Sequence, residues 1–429
     1  MFANLAYLTA DLPGIGGAIK QRPEDFLVQE QPLYEPTGEG EHLLLCIQKT
    51  SATTLDVVRR LAKAFRVSRN EVGYAGLKDK HAVASQHFSV RLTDAGVDQA
   101  KGLEHLSHDP RLAVLWSARH TGKLRRGHLA GNRFVIRVRD VEPTAVLWAK
   151  RVLDRLTASG APNYVGQQRF GYRQNNHELG RLLLKGQYAA LLDEMLGRPS
   201  ELDSPRVRAA REAYERGDYT AALEHWPRHL RFDRQALDAL RQGRTPQQAV
   251  RAMDRVQREF LVSSVQSAVF NRVLDHRLRE GWFDRLLPGD LAWKHDSRAV
   301  FTVDEATAEL ENGPTGRVRT LAVSPSGPMW GQSMMRAQGQ PGRIELEALE
   351  AMGLSEQEMV STEMATVEGA RRPLRVPLRD PDISGGVDEH GAYVRLAFEL
   401  PRGAFATAVL REIMKTEGAQ PAEESDEET

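Results

Sequence analysis

The chain has 429 residues, 41% of them hydrophobic and 27% charged, which is the composition of an ordinary globular protein. One hydrophobic core rarely serves a chain of this length, so two or three domains are expected. No apolar run is long enough to span a membrane, and the N-terminus lacks the charged and apolar regions of a signal peptide. The single cysteine, Cys46, excludes an intrachain disulfide and favours a reducing, cytoplasmic location.

The formal net charge is zero, but the charges are unevenly distributed. Residues 417–429 hold six acidic residues and no basic one, so the residues before them carry 58 bases against 52 acids. Between Arg111 and Arg139 there are eight Lys or Arg residues and no Asp or Glu. Such a patch is typical of a protein that binds a phosphate backbone, and a solvated charged face would have the same composition. The acidic tail is predicted to be disordered.

Hydrophobic periodicity predicts strands alternating with helices over the first 160 residues. A glycine-rich opening and short strands over 12–32 precede a buried strand at 41–48. Thr53 and Asp56 resemble a capping box, and they begin a helix that ends at Phe65. Its apolar stripe is predicted to contain Leu55, Val58, Ala62 and Phe65. The elements predicted next are strands at 86–92, 111–119 and 132–140 and a helix over 143–160.

Residues 73–88, GYAGLKDKHAVASQHF, place Asp79 on a tight connection between two predicted strands. Lys78 and Lys80 flank this carboxylate, and nearby positive charges favour its ionised form. An ionised carboxylate suits a nucleophile or a base better than a general acid. A solvated turn with an ordinary surface ion pair is the plainer interpretation, and it is the commoner one for a single Asp between lysines.

The hydrophobic pattern changes in the second half of the chain. Residues 176–281 show helical periodicity, and a mixed region follows at 285–365. Strand patterns return at 373–379 and 393–400, and a final helix is predicted from Ala404 to Lys415.

Residues 73–88 resemble the signature G-[FY]-A-G-x-K-D-[KR]-x-A of the TruD family of tRNA pseudouridine synthases. Four further blocks resemble the family's motifs in the required order: KQRPEDFLVQE at 20–30, LRRGHLAGNRF at 124–134, PNYVGQQRFG at 162–171 and LPRGAFATAVLREI at 400–413. A helical run, SSVQSAVFN at 263–271, is similar to the family's S-x-x-Q-S-x-x-F-N segment. Five ordered blocks spanning residues 20 to 413 do not arise by accident.

The resemblance implies an α+β fold with a pseudouridine-synthase-type mixed, mainly antiparallel sheet and flanking helices. It also implies an inserted second α/β domain, the TRUD domain. On this basis residues 1–161 and 373–416 are expected to form the catalytic domain, and residues 162–372 the insertion. The helical stretch at 195–250 is longer than the family minimum, and the sequence assigns it no role.

The resemblance also implies the functional residues. It makes Asp79 the catalytic nucleophile and places Phe26, Asn132 and Phe405 against the substrate. Aromatic rings stack on an extruded base, and an amide reads the hydrogen-bonding edge of uracil. The plainer interpretations are core phenylalanines and a turn asparagine that enters a strand.

Several cations are further candidates for binding the substrate. Lys20, Arg169 and Arg411 are expected either to pair with the nucleophile or to contact tRNA phosphates, and a structural ion pair is the alternative for each. Lys78 and Lys80 are expected to lie at the same site.

The activity that the resemblance implies is isomerisation of a uridine in the D arm of tRNA, at position 13. The reaction breaks the N1–C1′ bond and joins C5 to C1′, so neither a metal nor an organic cofactor is expected. The partner is tRNA, and no obligatory protein partner is implied. Whether the carboxylate attacks C6 or C1′ stays open.

Two other classes of function are alternatives for this sequence. A catalytically silent RNA-binding protein of the same fold is the first, and the intact Lys78-Asp79-Lys80 run argues against it. A nucleoside hydrolase would require paired carboxylates around the scissile bond, whereas residues 73–88 hold only one.

Overall fold

The computed structural model describes residues 5–92, 99–142 and 144–416. The predicted disordered tail and Pro143, the expected first residue of a helix, lie outside the described residues. The chain divides into two compact units. The sheet unit contains the described residues of 7–161 and 376–416, and the helical unit contains 5–6 and 162–375.

The secondary structure is mixed. The described strands are β1 Phe26–Pro32, β2 His42–Thr50, β3 Val72–Tyr74, β4 Val83–Arg91, β5 Leu112–His120, β6 Leu129–Arg139, β7 Ala161–Pro162, β8 Leu291–Lys294, β9 Val300–Thr302, β10 Val323–Met329, β11 Ala370–Pro373, β12 Arg375–Val376, β13 Arg379–Asp388 and β14 Gly391–Pro401. The described helices are α1 Thr54–Ala64, α2 Gln99–Ser107, α3 Ala145–Ser159, α4 Asn176–Leu184, α5 Tyr188–Leu196, α6 Pro205–Glu215, α7 Tyr219–His225, α8 Arg231–Arg241, α9 Pro246–Ala252, α10 Arg255–Arg279, α11 Glu305–Asn312, α12 Gly339–Glu350 and α13 Ala406–Met414. None of these helices is both long enough and apolar enough to cross a membrane.

The sheet unit is organised around one eight-stranded sheet. Its order is β13-β14-β6-β1-β4-β2-β5, with β3 also paired to β4. The pairing of β1 with β4 is parallel, and the other pairings in this sheet are antiparallel. The predicted α+β fold with a mixed, mainly antiparallel sheet is therefore confirmed.

Two hydrophobic clusters lie on the same face of this sheet. The first joins β1, β6 and β14 to α3 and α13, and the second joins β2 and β4 to α1 and α2. Ala84 belongs to the first cluster and Phe88 to the second, and both are even-numbered residues of one strand. Because side chains alternate between the two faces of a strand, the helices of both clusters cover one face.

Helix α1 begins where the sequence predicts. The Thr53 hydroxyl accepts a hydrogen bond from the Asp56 amide, and the Asp56 carboxylate accepts one from the Thr53 amide, so the predicted capping box is confirmed. The prediction for Leu55 is wrong, because its side chain is exposed. Val58, Ala62 and Phe65 are buried as predicted, and Val57 and Leu61 are buried with them on the side of the helix that faces the sheet.

The helical unit is built around α10, its longest described helix, of 25 residues. Asn271 in this helix accepts a hydrogen bond from the Val165 amide (2.9 Å) and donates one to the Val165 carbonyl (3.0 Å). Ser264 donates to the Arg169 carbonyl at 2.9 Å. The polar residues at 263–271 therefore hold the segment at 162–171 against the helix. A four-stranded sheet, in the order β11-β10-β8-β9, belongs to the same unit.

Candidate active site

Asp79 lies on the catalytic-candidate loop, which we define as residues 75–82 between β3 and β4. Its side chain is 42% exposed, so solvent reaches the carboxylate. The Lys20 ammonium lies 2.8 Å from Asp79 Oδ2 and is itself almost fully buried. The strands on either side of the loop, β3 and β4, pair with each other, so the loop is fixed at both ends. The arrangement presents an anionic oxygen at the surface with a cation fixed beside it.

The ion pair of Asp79 is formed with neither of the two flanking lysines among the contacts of the described residues. Lys78 Nζ lies 2.7 Å from Glu30 Oε2, and both side chains are buried. The Lys80 side chain is exposed. The cation paired with Asp79 is Lys20, which lies 59 residues earlier in the sequence.

Hydrogen bonds to β4 and to the start of α1 hold the main chain of this loop. The Lys78 amide donates to Thr54 Oγ1 (3.0 Å), and this hydroxyl donates to Gln86 Oε1 (2.9 Å). Gln86 Nε2 in turn donates to the Gly76 carbonyl at 2.6 Å. Sequence reasoning missed Thr54 and Gln86. The sequence held one signal for Gln86. It is polar, but it lies on the side of β4 on which Phe88 is apolar.

Lys49 was also missed, and it contacts the same residue as Lys20. It is fully buried near the end of β2, and its ammonium donates to the Asp79 carbonyl and to the Ala52 carbonyl, each at 2.6 Å. Burial lowers the pKa of Lys49 to about 8, although the negative charge of Asp79 opposes this change. The signal in the sequence was a lysine that directly follows the buried strand predicted at 41–48.

Glu30 joins Lys78 to a buried histidine. Its carboxylate accepts a hydrogen bond from the His87 amide (3.1 Å) and lies 3.3 Å from His87 Nδ1. Burial favours neutral imidazole, but the interactions of His87 with Cys46 and Glu30 outweigh it and raise the pKa of His87 to about 9. Burial raises the pKa of Glu30, and the hydrogen bond with His87 and the charge of Lys78 outweigh this effect and lower it. The three groups thus form a buried network of charges.

Asn132 lies in β6, directly opposite Glu30 of β1 and Leu400 of β14. Residues directly opposite each other in an antiparallel pair project to the same face, so Asn132 and Glu30 are neighbours. Its Oδ1 atom is buried and has no hydrogen-bond partner among the described residues. A buried carbonyl oxygen without a donor is an unusual feature, and an N–H group of a ligand would satisfy it.

The two phenylalanines differ in exposure. Phe26 is 2% exposed and packs edge-on against Phe134, with the Lys20 ammonium 4.6 Å from its ring centroid. It is therefore not the open stacking surface that the sequence suggested, because β1 points this residue into the helix-covered core. Phe405 is 38% exposed and immediately precedes α13. It is therefore the more accessible of the two rings.

The two arginine candidates contact aromatic rings. The Arg411 guanidinium lies 3.8 Å from the Tyr7 ring centroid. Arg169 belongs to the helical unit, where it lies over the Phe260 ring at 5.0 Å and donates to Ser263 Oγ at 3.1 Å. Burial lowers the pKa of Arg169. Of the three cations expected to pair with Asp79 or with phosphates, Lys20 is the one whose described contacts include Asp79.

The basic patch between Arg111 and Arg139 is less available than its composition suggests. At least four of its members are paired with carboxylates: Arg111 with Asp109, Arg133 with Glu399, Arg137 with Asp388, and Arg139 with both Asp25 and Asp388. Of these four arginines Arg139 is buried, whereas Arg111, Arg133 and Arg137 stay partly exposed, so phosphate binding by the patch stays a prediction. Arg125 and Arg126 keep exposed side chains on the connection between β5 and β6.

Comparisons with known proteins agree on one family. The family model of tRNA pseudouridine synthase D (TruD) matches residues 2–413. A Geobacter sulfurreducens protein named tRNA pseudouridine synthase D is 42% identical over 416 residues, covering 96% of this chain and 97% of that protein. A protein of the same name from Thermus thermophilus is 35% identical over 430 residues, covering 98% and 96%. A solved TruD structure from Methanosarcina mazei superposes with a TM-score of 0.76 at 27% identity, covering 96% of both chains.

Proposed function

The chain belongs to the tRNA pseudouridine synthase D (TruD) family of isomerases, and we propose that it converts a uridine in the D arm of tRNA, at position 13, to pseudouridine with Asp79 as the nucleophile. The observation that carries this proposal is the exposed Asp79 carboxylate, held by Lys20 within the family signature.

The geometry around Asp79 is suited to covalent catalysis. Its carboxylate is reachable from solvent, and a nucleophile must reach a carbon atom of the substrate. The main chain of the loop is tied to β4 and α1, so the oxygen is presented from a fixed position. The charge of Lys20 stabilises the anion without covering it.

The proposed reaction is an isomerisation in which atoms balance within the substrate. Attack of the Asp79 carboxylate on C6 of the base or on C1′ of the sugar leads to cleavage of the N1–C1′ bond. The uracil rotates within the site, and C5 forms the new bond to C1′. C5 then loses its proton and N1 ends protonated, and release of the carboxylate regenerates the enzyme.

The pocket for the everted base is assigned to residues that follow from the family motif. The unpartnered Asn132 Oδ1 is suited to accept a hydrogen bond from an N–H of uracil, and the exposed Phe405 is suited to stack on the ring. Phe26 is assigned a supporting role, because the Lys20 ammonium lies over its ring and is held there.

Cationic groups are proposed to bind the tRNA backbone. Lys80 is exposed beside the nucleophile, and Arg411 and Arg169 are assigned to phosphates. Lys78 is assigned to holding the loop through Glu30, rather than to direct contact with substrate. Eversion of the target base costs a few kcal/mol, and these backbone contacts would offset that cost.

We assign the sheet unit as the catalytic domain and the helical unit as the inserted TRUD domain. The assignment rests on the position of the signature loop in the first unit and of the segment at 162–171 in the second. A cytoplasmic location follows from the proposed substrate.

The test is the Asp79→Asn variant assayed on tRNA by mapping pseudouridine at nucleotide resolution. We expect pseudouridine formation to be abolished and the affinity for tRNA to change less than about threefold, because the amide keeps the shape of the carboxylate. Asp11→Asn is the matched control, since Asp11 is also exposed and paired with an arginine, Arg155. Activity of Asp79→Asn equal to that of the control would show that another residue is the nucleophile.

A further inference from the structure

Lys49 reaches the candidate nucleophile from the side opposite to solvent. It lies in β2, opposite Ala84 of β4 and Leu112 of β5, and its side chain is fully buried. Its ammonium donates to the carbonyl oxygens of Asp79 and Ala52, each at 2.6 Å. The hydrogen bond to Asp79 fixes the main chain of the residue that carries the carboxylate.

The charge of Lys49 is costly to bury, and among the residues that the structure describes no direct ion pair neutralises it. Its hydrogen-bond acceptors among the described residues are main-chain carbonyls, so its partners are dipoles and not anions. The charged groups that act on it are Asp79 and Asp56, which favour its charged form, and Lys78, which disfavours it. The negative charge of Asp79 is therefore the largest favourable influence on this ammonium.

The two lysines that contact Asp79 act on different atoms. Lys20 bonds the side-chain oxygen Oδ2, whereas Lys49 bonds the main-chain carbonyl. Thr54 and Gln86 hold the loop at Lys78 and Gly76, and Lys20 holds only the carboxylate, so the peptide that carries the Asp79 carbonyl could still rotate. A strand residue that binds the carbonyl restricts this rotation, because β2 is a central strand paired on both sides.

We infer that Lys49 is a positioning residue for pseudouridine formation: its ammonium fixes the main chain at Asp79 and adds a second positive charge beside the nucleophilic carboxylate. The inference rests on the proposed role of Asp79 as the nucleophile. Lys49 does not touch substrate, so its removal should slow the chemical step without weakening the binding of tRNA.

The main test is the Lys49→Met variant, which keeps the length of the side chain and removes the charge. Single-turnover pseudouridine formation should slow at least 10-fold, while the tRNA dissociation constant changes less than threefold. Lys63→Met is the control, because Lys63 is an exposed lysine of α1. Unchanged single-turnover rates in Lys49→Met would overturn the inference.

A pH profile separates this role from a purely structural one. Because the Lys49 ammonium is needed in its charged form, the wild-type rate should fall as the pH rises through about 8. This descending limb should be absent in Lys49→Met. If both proteins show the same limb, the group that titrates is not Lys49 and the inference fails.

Two further measurements keep the outcome interpretable. If Lys49→Met does not fold, Lys49→Gln replaces it, since the amide can still donate a hydrogen bond but carries no charge. A wild-type rate in Lys49→Gln overturns the part of the inference that requires a positive charge. Asp79→Asn distinguishes the two proposals. An inactive Asp79→Asn beside a fully active Lys49→Met rejects the inference alone, whereas an active Asp79→Asn rejects the proposed function.

Discussion

Glu30 and Lys78 form an ion pair in which the side chains are only 1% and 6% exposed. The pair joins β1 to the loop that carries Asp79, so the residue next to the candidate nucleophile is anchored in the interior. A charge left without its partner in such a place is expensive, because neither water nor another ion can solvate it.

Replacement of Glu30 by Gln should therefore destabilise the protein. The change leaves the buried Lys78 ammonium and the charged His87 without their carboxylate, and we expect a loss of about 3–5 kcal/mol in the free energy of unfolding. Urea denaturation at pH 7 measures this loss. Glu399→Gln is the control, because Glu399 pairs with the partly exposed Arg133 and should cost less than about 1 kcal/mol. Equal losses in the two variants would contradict the stabilising role of the buried network.

Stability should depend on the protonation of His87. Its pKa in the folded protein is raised from 6.5 to about 9, so its contribution is fully present below about pH 6.5 and is lost as the pH rises through 9. Lys49 acts in the opposite direction, because its lowered pKa makes stability rise with pH above about 8. The difference between wild type and His87→Gln isolates the first group.

We therefore expect the stability advantage of wild type over His87→Gln to shrink by a few kcal/mol between pH 6 and pH 10. Urea denaturation of both proteins across that range is the measurement. A difference that stays constant with pH would show that folding does not change the pKa of His87.

Asn132→Ala should reduce activity without reducing stability. Its Oδ1 atom has no hydrogen-bond partner among the described residues, so little is lost on folding, and we expect a change within about 1 kcal/mol. Loss of a hydrogen bond to the uracil edge should lower kcat/KM by about 10- to 100-fold. Steady-state kinetics on tRNA together with thermal unfolding test both statements. A variant that unfolds early but is fully active when folded would assign Asn132 to the fold alone.

Binding of tRNA should weaken as the salt concentration rises. Each phosphate contact adds roughly 0.7 to 0.9 to the slope of log affinity against log salt. Arg125 is exposed, so Arg125→Gln should reduce this slope by about 1 if it contacts a phosphate. Arg111→Gln is the matched control, since Arg111 is paired with Asp109. Filter binding at several salt concentrations gives the slopes, and equal slopes for wild type and Arg125→Gln would remove Arg125 from the interface.

Local pattern was a good guide to the elements of the sheet unit. The helix capped by Thr53 and the alternation of Phe134, Ile136 and Val138 are readable because each depends on neighbours in sequence. The strand β13 was not predicted, because it pairs with β14 at the edge of the sheet and most of its side chains are exposed. The sequence of such a strand lacks the alternation of apolar and polar residues from which strands are predicted.

The sequence by itself determined the family and the candidate nucleophile, since motif residues are read in order along the chain. It did not determine which cation pairs with Asp79 or which lysine fixes its main chain. Lys20 and Lys49 come from segments remote in sequence, and Lys78, adjacent in sequence, pairs with Glu30 instead. Only the folding of β1, β2 and β4 into one sheet decides these pairings, because Coulomb and hydrogen-bond energies depend on distance in space and not on separation along the chain.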